Sequence, residues 1–182
     1  MSRKFAVVLS VVVLAVSSAL AGNNPTVGGQ EMYPTKNIIQ NAVNSADHTT
    51  LVAAVKAAGL VDTLEGPGPF TVFAPTNEAF NKLPAGTVDT LLKPENKETL
   101  TKILTYHVVA GRLSASDLKK QIKAGGGTAQ LTTVEGGKLW ASLQGGNIML
   151  KDEKGGTAIV TIPNVFQSNG VIHVIDSVVQ PN

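Results

Sequence analysis

The pattern of apolar and polar positions is most informative over residues 68–84, Gly-Pro-Phe-Thr-Val-Phe-Ala-Pro-Thr-Asn-Glu-Ala-Phe-Asn-Lys-Leu-Pro. Phe70, Val72 and Ala74 alternate with Thr71 and Phe73, and both sets are apolar enough to predict a strand buried on two faces. Pro75 ends that strand. Thr76 then stands where its side chain caps the first free amides of a short helix, in which Ala79, Phe80 and Leu83 share a face and which Pro84 stops.

Upstream the period is helical. Thr35 is expected to cap a helix with Ile38, Ile39 and Val43 as its stripe, and Asp47 a second with Leu51, Val52, Val55 and Ala58 on one face. Gly59 closes the second helix as a left-handed cap, with Leu60 packing back on it. Downstream, residues 87–92 give a helical turn, and Pro94 opens a helix striped by Leu100, Ile103 and Leu104 that runs into Tyr106 and His107. Val108, Val109 and Ala110 lead to a break at Gly111, and Ser114-Ala115-Ser116-Asp117 has capping-box spacing ahead of Leu118 and Ile122.

From Gly125 the period shortens to two. Glycine pairs at 125–126, 136–137, 145–146 and 155–156 punctuate β-prone segments at 128–134, 138–143, 147–151 and 157–162, and a final strand at 171–179 follows the turn Ser168-Asn169-Gly170. This half is expected to be antiparallel sheet. One α+β domain results, short helices first and sheet second, without repeats.

The first residues break the pattern. Ser2-Arg3-Lys4, an apolar run over 5–16 and Ala19-Leu20-Ala21 read as a secretory signal peptide over 1–21, the run being shorter than the roughly 20 residues that span a bilayer. Residues 22–31, polar and glycine-rich, are expected to form a flexible lead to a domain over 32–182. The chain has 15 Lys+Arg against 13 Asp+Glu, and without Arg3 and Lys4 the two are equal. A neutral mature chain without basic runs speaks against nucleic acid or anionic membrane as its main partner. The sequence holds no cysteine, so disulfides and thiolate metal sites are excluded. Asn24-Pro25-Thr26 carries proline where a glycosylation acceptor forbids it, so an exported bacterial protein, periplasmic or extracellular, is the expectation.

Residues that could carry chemistry are few. His48, His107 and His173 have no metal-ligand spacing, and His48 is expected on the solvated surface. A serine hydrolase could draw on Ser114, Ser168, Ser177, His107, His173 and Asp176, yet there is no Gly-x-Ser-x-Gly elbow, and Asp176 falls on the opposite strand face from His173. Gly125-Gly126-Gly127 is followed by strand residues, so it reads as a turn and not a phosphate loop. Tyr106 and His107, each with an apolar body and a polar tip, are read either as plugs of a core edge or as part of a binding epitope. Trp140 alternates with Leu139 and Ala141 and is expected in the core, exposure as a contact residue being the other placement.

Three separated segments, in order, resemble the fasciclin (FAS1) family: residues 68–80 around Thr-Val-Phe-Ala-Pro-Thr, Leu104-Thr105-Tyr106-His107-Val108-Val109, and Asn169-Gly170-Val171-Ile172-His173-Val174-Ile175-Asp176. The resemblance covers residues 33–181. It implies an α+β fold in which an antiparallel β-sandwich or wedge packs with a cluster of short α-helices, the first and last segments lying in neighbouring central strands. Their structural signature falls on Phe70, Val72, Phe73, Ala74, Pro75, Thr76, Phe80, Gly170, Val171, His173 and Asp176. The resemblance also implies an extracellular or periplasmic role in adhesion or interaction, as in single-domain secreted bacterial members such as mycobacterial antigens, without catalysis or a required cofactor. In animal members the Tyr-His segment is implicated in integrin binding.

The expected function is therefore that of a secreted module recognising a cell-surface or envelope protein or carbohydrate through exposed loops and a sheet edge. The candidate contact residues are Tyr106, His107, Gln167, Ser168 and Asn169. The alternative is a periplasmic small-ligand carrier or weak hydrolase with His107 or His173 in a pocket.

Overall fold

In the computed structural model, which describes residues 24–182, fourteen regular elements follow one another. The signal-peptide reading falls on residues outside the described ones. Three short helices come first: α1 (Ile38–Ala42), α2 (Thr49–Ala58) and α3 (Val61–Glu65). Strand β1 (Phe70–Pro75) follows, then α4 (Asn77–Asn81), α5 (Thr87–Leu91), α6 (Lys97–Tyr106), β2 (Val108–Ala110) and α7 (Ala115–Ala124). The chain ends in β3 (Thr128–Thr132), β4 (Lys138–Gln144), β5 (Asn147–Lys151), β6 (Thr157–Gln167) and β7 (Gly170–Ile175).

The strands form one seven-stranded mixed sheet in the order β2-β1-β7-β6-β5-β4-β3. Every pair is antiparallel except β1 and β7, which run parallel in a register that sets Phe73 opposite His173. The half from β3 onward is antiparallel as expected, and the one parallel pair joins it to β1 through the long excursion between the two strands, since parallel neighbours need a crossover. The two end strands of the order, β2 and β3, touch at one point, and the outer side of β3 otherwise keeps a free edge among the described residues. Val109 bridges Thr133 and the Val134 amide donates to the Val108 carbonyl, so β2 and β3 approach at one corner and the sheet curls into a wedge.

Two cores result. One lies between the helices α1–α6 and the sheet, where Val72, Ala74, Ile172 and Val174 meet Leu51, Val55, Leu100 and Leu104. The other fills the wedge, where Phe73, Tyr106, Leu139, Leu150 and Ile175 pack beneath Leu118 and Ile122 of α7. Strands β1 and β7 separate the two, which is why both read as continuous apolar runs.

Local chemistry sets several boundaries. The Thr76 hydroxyl accepts from the Ala79 amide, Ser114 and Asp117 form a capping box, and Gly59 caps α2 at φ 71°. Asn37 caps α1 in place of Thr35, and Val43 lies beyond the helix with half its surface exposed. Asp47 sits inside a 3-10 turn over Ala46–His48 and caps nothing by its side chain. Strand β6 continues past Pro163 to Gln167 because register shifts between Val160 and Val165 absorb the missing donor, and Asn164 there takes φ 60°. The final strand begins at Gly170 and stops at Ile175, four residues before the expected end.

Residues 24–31, expected to be a flexible lead, are docked on the domain. The Asn24 side chain donates to the Phe166 carbonyl at 2.6 Å and accepts from its amide at 2.9 Å, and Val27 is buried in the first core. One asparagine thus pairs with backbone as a strand residue would.

Candidate functional site

Tyr106 and His107 end α6 where the helix turns into β2, and both lie inside the protein, 0% and 2% exposed. The Tyr106 hydroxyl donates to the Lys138 carbonyl and accepts from the Glu153 amide, and burial pushes its pKa up to about 12. Gly137 packs so closely on the tyrosine ring that a Cβ there would stand 2.8 Å from a ring carbon. His107 donates from Nδ1 to the Ile103 carbonyl at 2.8 Å and accepts at Nε2 from the Val179 amide at 3.2 Å. Burial holds it neutral, its pKa lowered to about 4.

Val179 begins a C-terminal strap. The Asp152 carboxylate accepts from the Gln180 and Gly156 amides, and Glu153 accepts from the Asn182 and Lys138 amides. These backbone donors keep Glu153 below the usual carboxylate range. Neither carboxylate was marked by the sequence, where Lys151-Asp152-Glu153-Lys154-Gly155 reads as a plain turn.

The other two histidines are also interior. His173 accepts at Nδ1 from the Asn164 amide, donates from Nε2 to the Leu113 carbonyl at 2.7 Å and stacks on Phe73 with ring centroids 5.7 Å apart. His48, expected on the surface, is buried: Nδ1 accepts from the Ser45 hydroxyl at 2.9 Å and Nε2 faces the Ala74 carbonyl at 3.4 Å. Its place in the turn before α2 points it at β1, which sequence periodicity alone did not reveal. Burial lowers the pKa of both.

The contact-loop candidates divide. Asn169 is a staple: its Oδ1 accepts from the Ile38 amide, its Nδ2 donates to the Leu64 and Gly66 carbonyls, and its own carbonyl accepts from Phe70. Gly170 lets β1 pass, since a Cβ would collide with the Phe70 carbonyl. Gln167 is fully buried, and its amide has no hydrogen-bond partner among the described residues. Only Ser168 is exposed. Its amide donates to the Lys36 carbonyl at 2.9 Å, the Lys36 ammonium lies 4.7 Å from the exposed Tyr33 ring, and Arg112 lies 5.1 Å from the Phe166 ring. Two cation–aromatic pairs therefore flank this turn. Asp176 locks the end of β7 by accepting from the Ile159 amide at 2.8 Å.

His107 borders an apolar cavity of about 30 Å³ between α1, α2 and the sheet, and His48 a neighbouring one of about 20 Å³. A cavity that holds benzene measures roughly 150 Å³, so each has room for a few heavy atoms at most. His173 lines neither. No group of three or more His, Asp or Glu among the described residues could hold a metal, and no helix there is long and apolar enough to cross a membrane.

The wedge-shaped mixed sheet, the helical cluster over one face and the internally bonded histidines and Tyr106 define a fasciclin-type α+β domain. The chain belongs to the fasciclin family: the Fasciclin domain model matches residues 46–181. It is 42% identical to Protein sll1483 of Synechocystis sp., over 94% of this chain and 96% of that protein. It is 39% identical to Immunogenic protein MPB70 of Mycobacterium bovis, over 88% of this chain and 78% of that one. Transforming growth factor-beta-induced protein ig-h3 of Sus scrofa is 37% identical over 72% of this chain, which spans 17% of that protein. Among solved structures, the FAS1 domain pair of the insect cell adhesion molecule Fasciclin I superposes with a TM-score of 0.72 at 20% identity, over 81% of this chain and 51% of that one.

Proposed function

We propose that the protein is exported, with residues 1–21 as its signal peptide, and acts without catalysis as a binding module at the cell surface or in the envelope. The supporting observation is the state of its interior chemistry. Each histidine ring has both nitrogens turned to a partner inside the fold, and the Tyr106 hydroxyl both donates and accepts there. Recognition then belongs to the surface. The turn at Ser168 offers the composition of a protein contact, with Tyr33, Lys36, Phe166 and Arg112 around one exposed serine. Asn169 holds the backbone beneath this turn, while Tyr106 and His107 hold Glu153 and Val179 elsewhere in the fold. Relatives named an immunogenic protein, a cell surface glycolipoprotein and a cell adhesion molecule favour a surface setting.

The test is binding of the purified protein to envelope fractions of the source cells. Saturable binding that Ser168→Arg weakens by about tenfold or more supports the reading. A folded protein that shows no saturable binding overturns it.

A further inference from the structure

Strands β3, β4 and β5 bury one face only. Ala129, Leu131, Leu139, Ala141, Ile148 and Leu150 point inward beneath α7, while the opposite face is open to solvent. On that open face one cross-strand row reads Gln130, Trp140, Lys151. The single tryptophan of the chain therefore lies on the face opposite Leu139 and Ala141 and does not join the core as expected; it stands partly exposed on a largely polar surface. A ring of that size, placed where the pleat offers no core to fill, marks a contact.

The ring borders an open cleft of about 600 Å³ lined also by Thr128, Lys151, Asp152, Glu153 and Lys154. Two ammonium groups and two carboxylates make this lining neutral overall. The carboxylates are fixed by backbone amides, Asp152 by Gly156 and Gln180 and Glu153 by Lys138 and Asn182. Lys151 and Lys154 make no ion pair with a carboxylate among the described residues. The cleft thus sets an apolar ring among closely spaced donors and acceptors without net charge. A nucleic acid or acidic polymer would want excess cations. A sugar ring matches instead, because its C–H face packs on an aromatic ring while each hydroxyl both donates and accepts.

We propose that the Trp140 cleft on the open face of β3–β5 is a binding site for a neutral saccharide. The ring stacks on the indole, and hydroxyls pair with Lys151, Lys154 and Thr128. The inference rests on the reading of the chain as a recognition module, but uses a surface apart from the Ser168 turn.

Because Trp140 is the only tryptophan, its emission reports the site directly. Maltohexaose, cellohexaose and mannohexaose are titrated into the purified protein, with an oligouronate and a single-stranded DNA as charged controls. At least one neutral hexaose is expected to shift the emission saturably. Calorimetry should then show Trp140→Ala weakening that binding by about tenfold or more, with Trp140→Phe and Lys151→Ala giving smaller losses, at unchanged thermal midpoints for the latter two. If Trp140→Ala fails to fold, Trp140→Phe and Lys151→Ala decide: full affinity in both overturns the site. No response to any neutral hexaose at millimolar concentration, or response to the charged controls alone, also overturns it. Envelope binding that persists in Lys151→Ala and Trp140→Phe, with no hexaose response, leaves the recognition module standing and removes only this site.

Discussion

Phe73 shows what a single residue does in this fold. It is fully buried on the wedge side of β1, stacks on His173 across the parallel pair, and donates its amide to the His107 carbonyl. Removing the ring by Phe73→Ala leaves a cavity that two strands and α6 cannot collapse around, at an expected cost of about 3 to 5 kcal/mol. Phe80, 6% exposed against the helical core, should cost a similar amount. Chemical denaturation measures both, and losses below about 1 kcal/mol at the two sites would mean the core lies elsewhere. Gln167 predicts the opposite sign. Its buried amide has no partner among the described residues, so Gln167→Met, close in volume, removes an unmet desolvation cost and should raise stability by about 1 kcal/mol. A loss of stability would show that the amide is satisfied in solution.

Among elements, the C-terminal strap carries a pH dependence. Residues 179–182 are held by His107, Asp152 and Glu153 through backbone amides, and by Lys102 through the Asn182 carbonyl. His107, His48 and His173 all have folded pKa values below the ordinary 6.5, so below pH 6.5 the unfolded chain binds more protons than the folded one. Stability therefore falls as pH drops from 6.5 towards about 4, and His107 alone accounts for about 3 kcal/mol by the lower end. Thermal midpoints measured across that range should decline, and the decline should flatten in His107→Gln. An unchanged slope in that variant would contradict the assignment.

The elements also show what could be read from the chain and what could not. The strand-corner-helix at residues 70–81, the capping box at Ser114 and the glycine turns are local, each fixed by neighbours in sequence, and all were legible there. What was not legible depends on partners far along the chain. Asn24 looks like loop composition until Phe166 stands beside it, and His48 looks solvated until Ala74 approaches its ring. Alternation correctly put Trp140 opposite Leu139 and Ala141, but could not say which face was inside. Tyr106, His107, Gln167 and Asn169 were singled out as candidate contact residues. Their polar atoms made them look like contacts, whereas in the fold Tyr106, His107 and Asn169 spend them on distant backbone. Ser168 alone of that set is exposed.

At the scale of the whole molecule, the segments that identify the family and the surfaces proposed to recognise a partner are different parts. Strands β1 and β7 and the Tyr106–His107 corner join the two cores, and the open face of β3–β5 and the turn at Ser168 lie outside them. The separation of scaffold from contact surface is tested by the affinity for envelope fractions of the wild type, His107→Gln and Ser168→Arg, each compared at a temperature where thermal melts show it folded. Folded His107→Gln should keep its affinity within about twofold while Ser168→Arg loses about tenfold or more. Loss of binding by fully folded His107→Gln, with Ser168→Arg unaffected, would contradict it.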